Sequence, residues 1–230
     1  MNLWTDLKDF FFPRVCLGCG RKLLVHESVV CLSCLSELPY TRLGNTPGNE
    51  MERNFWGKFP IERASSLFYY TKGGVVAAIL HGMKYHGRRE VCRRMGNWLA
   101  AELVATGFFE DIDFLLPVPL HVRRLRQRGY NQSRLLAEGI AEKTGITICT
   151  DVLFRTHNNR TQTHKSGYER WQNTENLFAV VPETSSLLMH RHVLLVDDVL
   201  TTGATLTACA DALAGITGIQ ISVLTLAWAR

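Results

Sequence analysis

A parallel α/β domain carrying a small N-terminal metal-binding appendage is the fold class this sequence predicts, and three observations carry the prediction. The run His192 to Thr205 places apolar residues Val193 to Val196 ahead of Asp197-Asp198. A Thr201-Thr202-Gly203-Ala204-Thr205 cluster follows, and then an amphipathic segment to Leu213. Such a run reads as a buried strand, an acidic turn, a tight loop and a helix. Four of the seven cysteines fall within the first 34 residues as two Cys-x-x-Cys pairs. The chain has 230 residues and is 46% hydrophobic, enough for one full core with room for an appendage.

Composition excludes several classes. No apolar run approaches the 18 or so residues of a membrane span, and Met1 to Pro13 is interrupted by Asp6, Lys8 and Asp9. Neither membrane insertion nor a secretory signal is expected, so the expected location is cytoplasmic. In that compartment cysteines serve as metal ligands or free thiols rather than disulfides. The net charge of +5 is compatible with an anionic ligand but does not by itself indicate nucleic acid.

In chain order, Leu3, Trp4, Leu7, Phe10 and Phe11 have helical spacing up to Pro13. Cys16-x-x-Cys19 and Cys31-x-x-Cys34 follow, separated by eleven residues. Tetrahedral Zn²⁺ takes four thiolates, and each two-residue spacer lets one turn supply two of them. A structural zinc ribbon with Cys16, Cys19, Cys31 and Cys34 as ligands is expected; a redox Cys-x-x-Cys is the alternative, weakened by the second pair. Thr41 to Pro60 holds Gly44, Pro47, Gly48, Gly57 and Pro60 with little periodicity and reads as a linker. The expected division is residues 1–44 for the helix and zinc ribbon, 45–63 for the linker and 64–230 for the α/β body.

The body is expected to begin with a strand over 64–70, a helix over 74–85 and a helix over 90–105. Lys84-Tyr85-His86-Gly87 between the helices reads as a solvated loop with a snorkelling lysine, in preference to a ligand contact. Asp113 to Leu120 is a buried strand ended by Pro117 and Pro119. Next comes a loop with four arginines in six positions, Arg123, Arg124, Arg126 and Arg128. Guanidinium forks match phosphate oxygens in pairs, so this loop suits a diphosphate; a solvated basic turn or a nucleic-acid face are its other readings. A helix over 131–144, a strand over 146–154 and a polar stretch over 155–173 follow. That stretch reads as a functional flap, with a disordered insert as the alternative. Strands over 177–181 and 219–228 complete the body, and His192 and Cys209 read as packing residues.

At the central run, the unpaired N–H groups and positive dipole end of the helix beginning near Thr205 can cradle a phosphate, and Gly203 lets the backbone approach it. Carboxylates are acceptor-only, so Asp197 and Asp198 suit sugar hydroxyls or a Mg²⁺ shell. A ribose 5-phosphate satisfies both halves.

The same residues resemble the phosphoribosyl pyrophosphate (PRPP) signature of type I phosphoribosyltransferases. That resemblance implies the type I fold, with Asp197 and Asp198 on the ribose hydroxyls and Thr201, Thr202, Gly203, Ala204 and Thr205 on the 5-phosphate. It also implies Arg123, Arg124, Arg126 and Arg128 on the pyrophosphate with Mg²⁺, and a flap in which Arg160, Lys165 and Arg170 contact PRPP. Asp197, Asp198, Arg128 and Lys165 are the expected catalytic residues. Pro117-Val118-Pro119-Leu120-His121, Arg128-Gly129-Tyr130-Asn131-Gln132 and the zinc knuckles resemble the ComF family more narrowly. That family joins a zinc ribbon to a phosphoribosyltransferase-like domain and is associated with competence and DNA utilisation. Phosphoribosyl transfer to an acceptor the sequence does not name is therefore the expected function. A non-catalytic PRPP sensor or single-stranded DNA binder working with competence proteins is the second reading, with Tyr130, Tyr168 and Trp171 as candidate stacking residues. Homodimerisation is compatible with either.

Overall fold

The computed structural model describes residues 14–85, 88–156 and 177–230. Its central sheet follows the apolar runs: β1 (Ala64–Tyr69), β2 (Phe114–Pro117), β3 (Thr147–Ile148), β6 (His192–Leu200) and β7 (Gln220–Trp228). All four pairings are parallel, in the spatial order β1-β7-β6-β2-β3. A separate antiparallel pair is formed by β4 (Leu153–Arg155) and β5 (Phe178–Val180). The helices are α1 (Leu32–Ser36), α2 (Glu50–Arg53), α3 (Val75–Lys84), α4 (Arg89–Val104), α5 (Val122–Arg128), α6 (Gln132–Thr144) and α7 (Ala204–Leu213), with a 3₁₀ turn over Pro182–Leu188. A parallel sheet flanked by helices, with an N-terminal cysteine lobe, is the fold class the sequence predicts.

Side chains alternate across a strand, so β6 feeds two cores. Leu194 and Val196 join Leu224 and Leu226 of β7 against Leu99 of α4 and Leu136 and Ile140 of α6. Val193 and Leu195 join Val223 against Leu206 and Leu213 of α7. Central strands buried on both faces explain why the 192–196 run is almost purely apolar. On the first face α4 and α6 approach backbone to backbone. A methyl group on Gly96 would lie 2.1 Å from the Leu136 carbonyl oxygen, and one on Gly139 would lie 2.1 Å from that of Arg93. Only glycine fits at either position.

The cysteine lobe packs on the body, its Cys16, Val29, Val30, Cys31 and Cys34 sharing one hydrophobic core with Val76 and Ile79 of α3. Leu17 packs where Gly82 of α3 leaves room, and Pro39 to Thr41 run beside β1, with Tyr69 N donating to Pro39 O at 2.8 Å and Thr41 N to Leu67 O at 3.0 Å.

Three local readings differ from what the pattern predicts. The basic segment after β2 is a helix, α5, rather than a loop. It contains no glycine or proline, its arginines and leucine are good helix formers, the His121 Nδ1 accepts from Arg123 N at 3.1 Å, and Gly129 (φ 76°) stops it. Within the stretch read as a linker, the Asn49 side chain caps α2 by accepting from Met51 N and Glu52 N and donates to Ala64 O, while Met51 and Phe55 are fully buried. One helical turn is too short to leave a period in the sequence. The strand expected over 146–154 is two pieces, β3 paired with β2 and β4 paired with β5, parted by an irregular stretch around Thr150 and Asp151.

Candidate functional site

The turn leaving β6 is shaped by one backbone requirement. Gly203 has φ 84°, a conformation side chains disfavour, and it hands the chain to α7 at Ala204. Thr201, Thr202 and Ala204 are exposed and Thr205 is half-buried around a concavity of about 30 Å³ that Asp197 also lines. The turn is therefore open at the start of a ten-residue helix, the kind of place where an anion can be held, with the Ala204 N–H donating to Thr202 Oγ1 at 3.4 Å. Lys58, from the stretch read as a linker, brings its Nζ to 3.8 Å from where a Gly203 Cβ would stand.

The two acids face different neighbours, as successive strand residues must. Asp197 Oδ1 accepts from Ser133 Oγ at 2.9 Å and from Asp198 N at 2.8 Å. Burial first, and the charge of Asp198 second, push its carboxyl up to about 7. Asp198 is buried on the side of α3, where its Oδ2 lies 3.0 Å from Lys84 Nζ. Lys84, read from sequence as a snorkelling loop residue, thus ends α3 as the counter-ion of this pair. Ser133 was not legible either, because only the fold brings α6 over β6.

The arginines of α5 lie beyond the C-terminal end of β2, which pairs with β6, so they share a sheet edge with the 201–205 turn. Arg123, Arg124 and Arg126 are exposed, and Arg128 stands 5.8 Å over the Tyr85 ring, next to Lys84. A cleft of about 450 Å³ opens beside them, lined by Pro119, Leu125, Tyr130, Arg134 and Asp151 among others. The Tyr130 hydroxyl donates to Met83 O at 3.0 Å, and Arg89 lies 5.6 Å over the Tyr130 ring. Tyr130 is therefore buried rather than offered for stacking. Arg160, Lys165 and Arg170, with Tyr168 and Trp171, lie outside the described residues. His192 is buried with its Nε2 2.8 Å from Ser222 Oγ, and Cys209 is buried against α7's neighbours, both as packing residues.

The second cluster is in the lobe. The Sγ atoms of Cys16, Cys19, Cys31 and Cys34 lie within 4.8 Å of one another, with Cys19 and Cys31 at 3.7 Å. Four sulfurs about 2.3 Å from a central zinc stand about 3.8 Å apart, so the set fits a tetrahedral site. Backbone amides support the sulfurs: Cys31 N donates to Cys16 Sγ at 3.3 Å and Cys34 N to Cys31 Sγ at 3.4 Å. The second of these, with Arg21 adding to it against the effect of burial, holds the Cys31 thiol down at about 6, the form a metal binds. Glu27 braces the lobe, accepting from Leu24 N, Leu32 N and Arg21.

No family model matches the chain. Among solved structures it is similar to glutamine PRPP amidotransferase from B. subtilis complexed with ADP and GMP (TM-score 0.43, 20% identity, 63% of this chain and 30% of that one). It is also similar to a hypoxanthine phosphoribosyltransferase from Staphylococcus aureus (TM-score 0.35, 14% identity, 64% and 69%). Among curated proteins it is 29% identical over 203 residues to DNA utilization protein YhgH of Salmonella typhimurium, covering 86% of this chain and 77% of that protein. It is 27% identical over 214 residues to competence protein F of Haemophilus influenzae, covering 90% and 88%. Competence protein ComFC of Bacillus subtilis is 28% identical over 194 residues, covering 84% and 68%. The homologues of this chain, over most of its length, are thus proteins named for DNA utilization and for competence.

Proposed function

We propose that this protein binds PRPP at the sheet edge formed by β6 and β2 and transfers its phosphoribosyl group to an acceptor, releasing pyrophosphate. The observation that carries the reading is the open 201–205 turn at the start of α7, flanked by Asp197 and facing the same edge as the arginines of α5. In this reading the turn takes the 5-phosphate and Asp197 and Asp198 take the ribose hydroxyls, Asp198 exchanging its contact with Lys84 for the sugar. As the bond from C1 to the diphosphate breaks, its electrons leave with pyrophosphate, and Arg123, Arg124, Arg126 and Arg128 stabilise that charge. Mg²⁺ bound with the diphosphate would supply further charge neutralisation. In this structure Asp198 has the Lys84 ammonium as its partner. Lys165, Arg160 and Arg170 keep the role of contacting PRPP. In this reading Cys16, Cys19, Cys31 and Cys34 would hold a structural Zn²⁺, and the chain divides into 1–44, 45–63 and 64–230.

Calorimetry with Mg²⁺ and PRPP tests the reading: one site per chain is expected, and its absence in the wild-type protein ends the proposal. A screen of purine, pyrimidine and amine acceptors for pyrophosphate release then identifies the reaction. The exposed arginines of α5 and the names of the relatives favour a second reading, in which this face binds single-stranded DNA in uptake. That binding would weaken steeply with salt and need no Mg²⁺.

A further inference from the structure

Lys84 is the last residue of α3, and its place is set by what grips that helix. Its Nζ lies 3.0 Å from Asp198 Oδ2. One residue earlier, the Met83 carbonyl accepts from the Tyr130 hydroxyl at 3.0 Å and from Cys92 Sγ at 3.7 Å. One residue before that, Gly82 leaves the room that Leu17 fills, since a methyl group there would lie 2.9 Å from Leu17 Cδ1. At the other end of α3, a methyl group on Gly18 would lie 3.1 Å from Val75 Cγ1 and 2.8 Å from Cys34 Sγ. Leu17 and Gly18 are the spacer between Cys16 and Cys19. The turn that presents two of the four sulfurs therefore rests on both ends of a ten-residue helix whose last side chain meets the acidic centre.

Sugar hydroxyls donate to a carboxylate, so Asp198 must be charged to take them. It is buried, and the carboxyl of Asp197 stands next to it, accepting from Asp198 N. Two carboxyls this close resist ionising together unless a cation offsets them, and among the described residues Lys84 is the cation within ion-pair distance. Resting on the PRPP reading above, we infer that Lys84 is a positioning residue of the site. It acts through Asp198, keeping that acid charged and in place until the ribose arrives, and the Cys16–Cys19 knuckle sets it there through α3. The exchange of Lys84 for the sugar supplies the two states such a coupling needs: the ammonium holds Asp198 in the free chain, the hydroxyls in the complex.

The full chain and its K84M, K84R and L17A variants are titrated by calorimetry with PRPP and Mg²⁺, with ribose 5-phosphate and with inorganic pyrophosphate. Loss of the cation from a buried pair predicts that K84M binds PRPP and ribose 5-phosphate about 10- to 100-fold more weakly, with pyrophosphate unchanged within about twofold. K84R keeps the charge and is expected within about fivefold of the wild type. L17A, which retains every cysteine and is expected to retain its zinc by atomic absorption, should bind ribose 5-phosphate about 3- to 30-fold more weakly through α3 alone. Unchanged or tighter ribose 5-phosphate binding in K84M overturns the assignment while leaving the PRPP site intact. Weakened pyrophosphate binding in K84M overturns it by making Lys84 a phosphate ligand. Equal losses in K84R and K84M with a lower melting temperature overturn it by making Lys84 a packing residue. Wild-type affinity in L17A overturns the part given to the knuckle. A wild-type protein that binds neither PRPP nor ribose 5-phosphate ends both the site and the role of Lys84 in it.

Discussion

The cysteine cluster and the acidic centre at the end of β6 are assembled in opposite ways. Four sulfurs converge from two turns within 19 residues of chain, supported by amides of the same turns and by Glu27 a few residues away. The acidic centre draws Lys84, Ser133, Asp197 and Asp198 from α3, α6 and β6, so it exists only once the sheet and both helices have packed. A site made by local chain geometry should respond to loss of its ligands alone. One made by packing should respond to the core beneath it.

The largest effect is expected at the lobe. Replacing Cys31 with Ser should take bound zinc, measured by atomic absorption, from one per chain to near zero, because structural zinc supplies about 10 kcal/mol or more of folding free energy to small modules. The α/β body should keep its circular dichroism; its collapse would show the two regions to be one cooperative unit. At the acidic centre, D197A/D198A should weaken PRPP binding at least about 100-fold by calorimetry, and unaltered affinity would remove these acids from the site. Beneath that centre, G96A should lower stability by about 1–3 kcal/mol in urea titration, since its methyl group meets the Leu136 carbonyl, and should weaken the centre without touching zinc content. The last test is of pH. The folded protein keeps a proton on Asp197 up to about 7, whereas an ordinary aspartate releases it near 3.8. Between those values the folded state binds the extra proton, so stability should fall as pH rises from about 4 to about 7 and level off above. D197N should flatten that slope; the same slope in both proteins would assign it to another group.

The contrast also explains what the sequence made legible. Both Cys-x-x-Cys pairs, the strand and turn over 192–205, and the capped helix from Asn131 to Gly145 are local patterns in which residue spacing carries the geometry. Lys84 and Ser133 carry no such mark, because their meaning lies in a partner over 60 residues away for Ser133 and over 100 for Lys84. The arginine segment was read correctly in charge but not in shape. Charge pattern shows what a surface attracts, whereas the helix of α5 depends on a histidine cap and a left-handed glycine that become visible only as geometry. Met51 and Phe55 escaped notice because glycines and prolines around them signal irregular chain, and irregular chain can still be buried.

Pro39 to Thr41 take up hydrogen bonds along the outward side of β1, which β7 does not reach. Stripped of residues 1–44, the body would present a row of vacant amide and carbonyl groups, a template on which another chain can add a strand. Self-association of the shortened protein, read by size-exclusion chromatography, is the expected result.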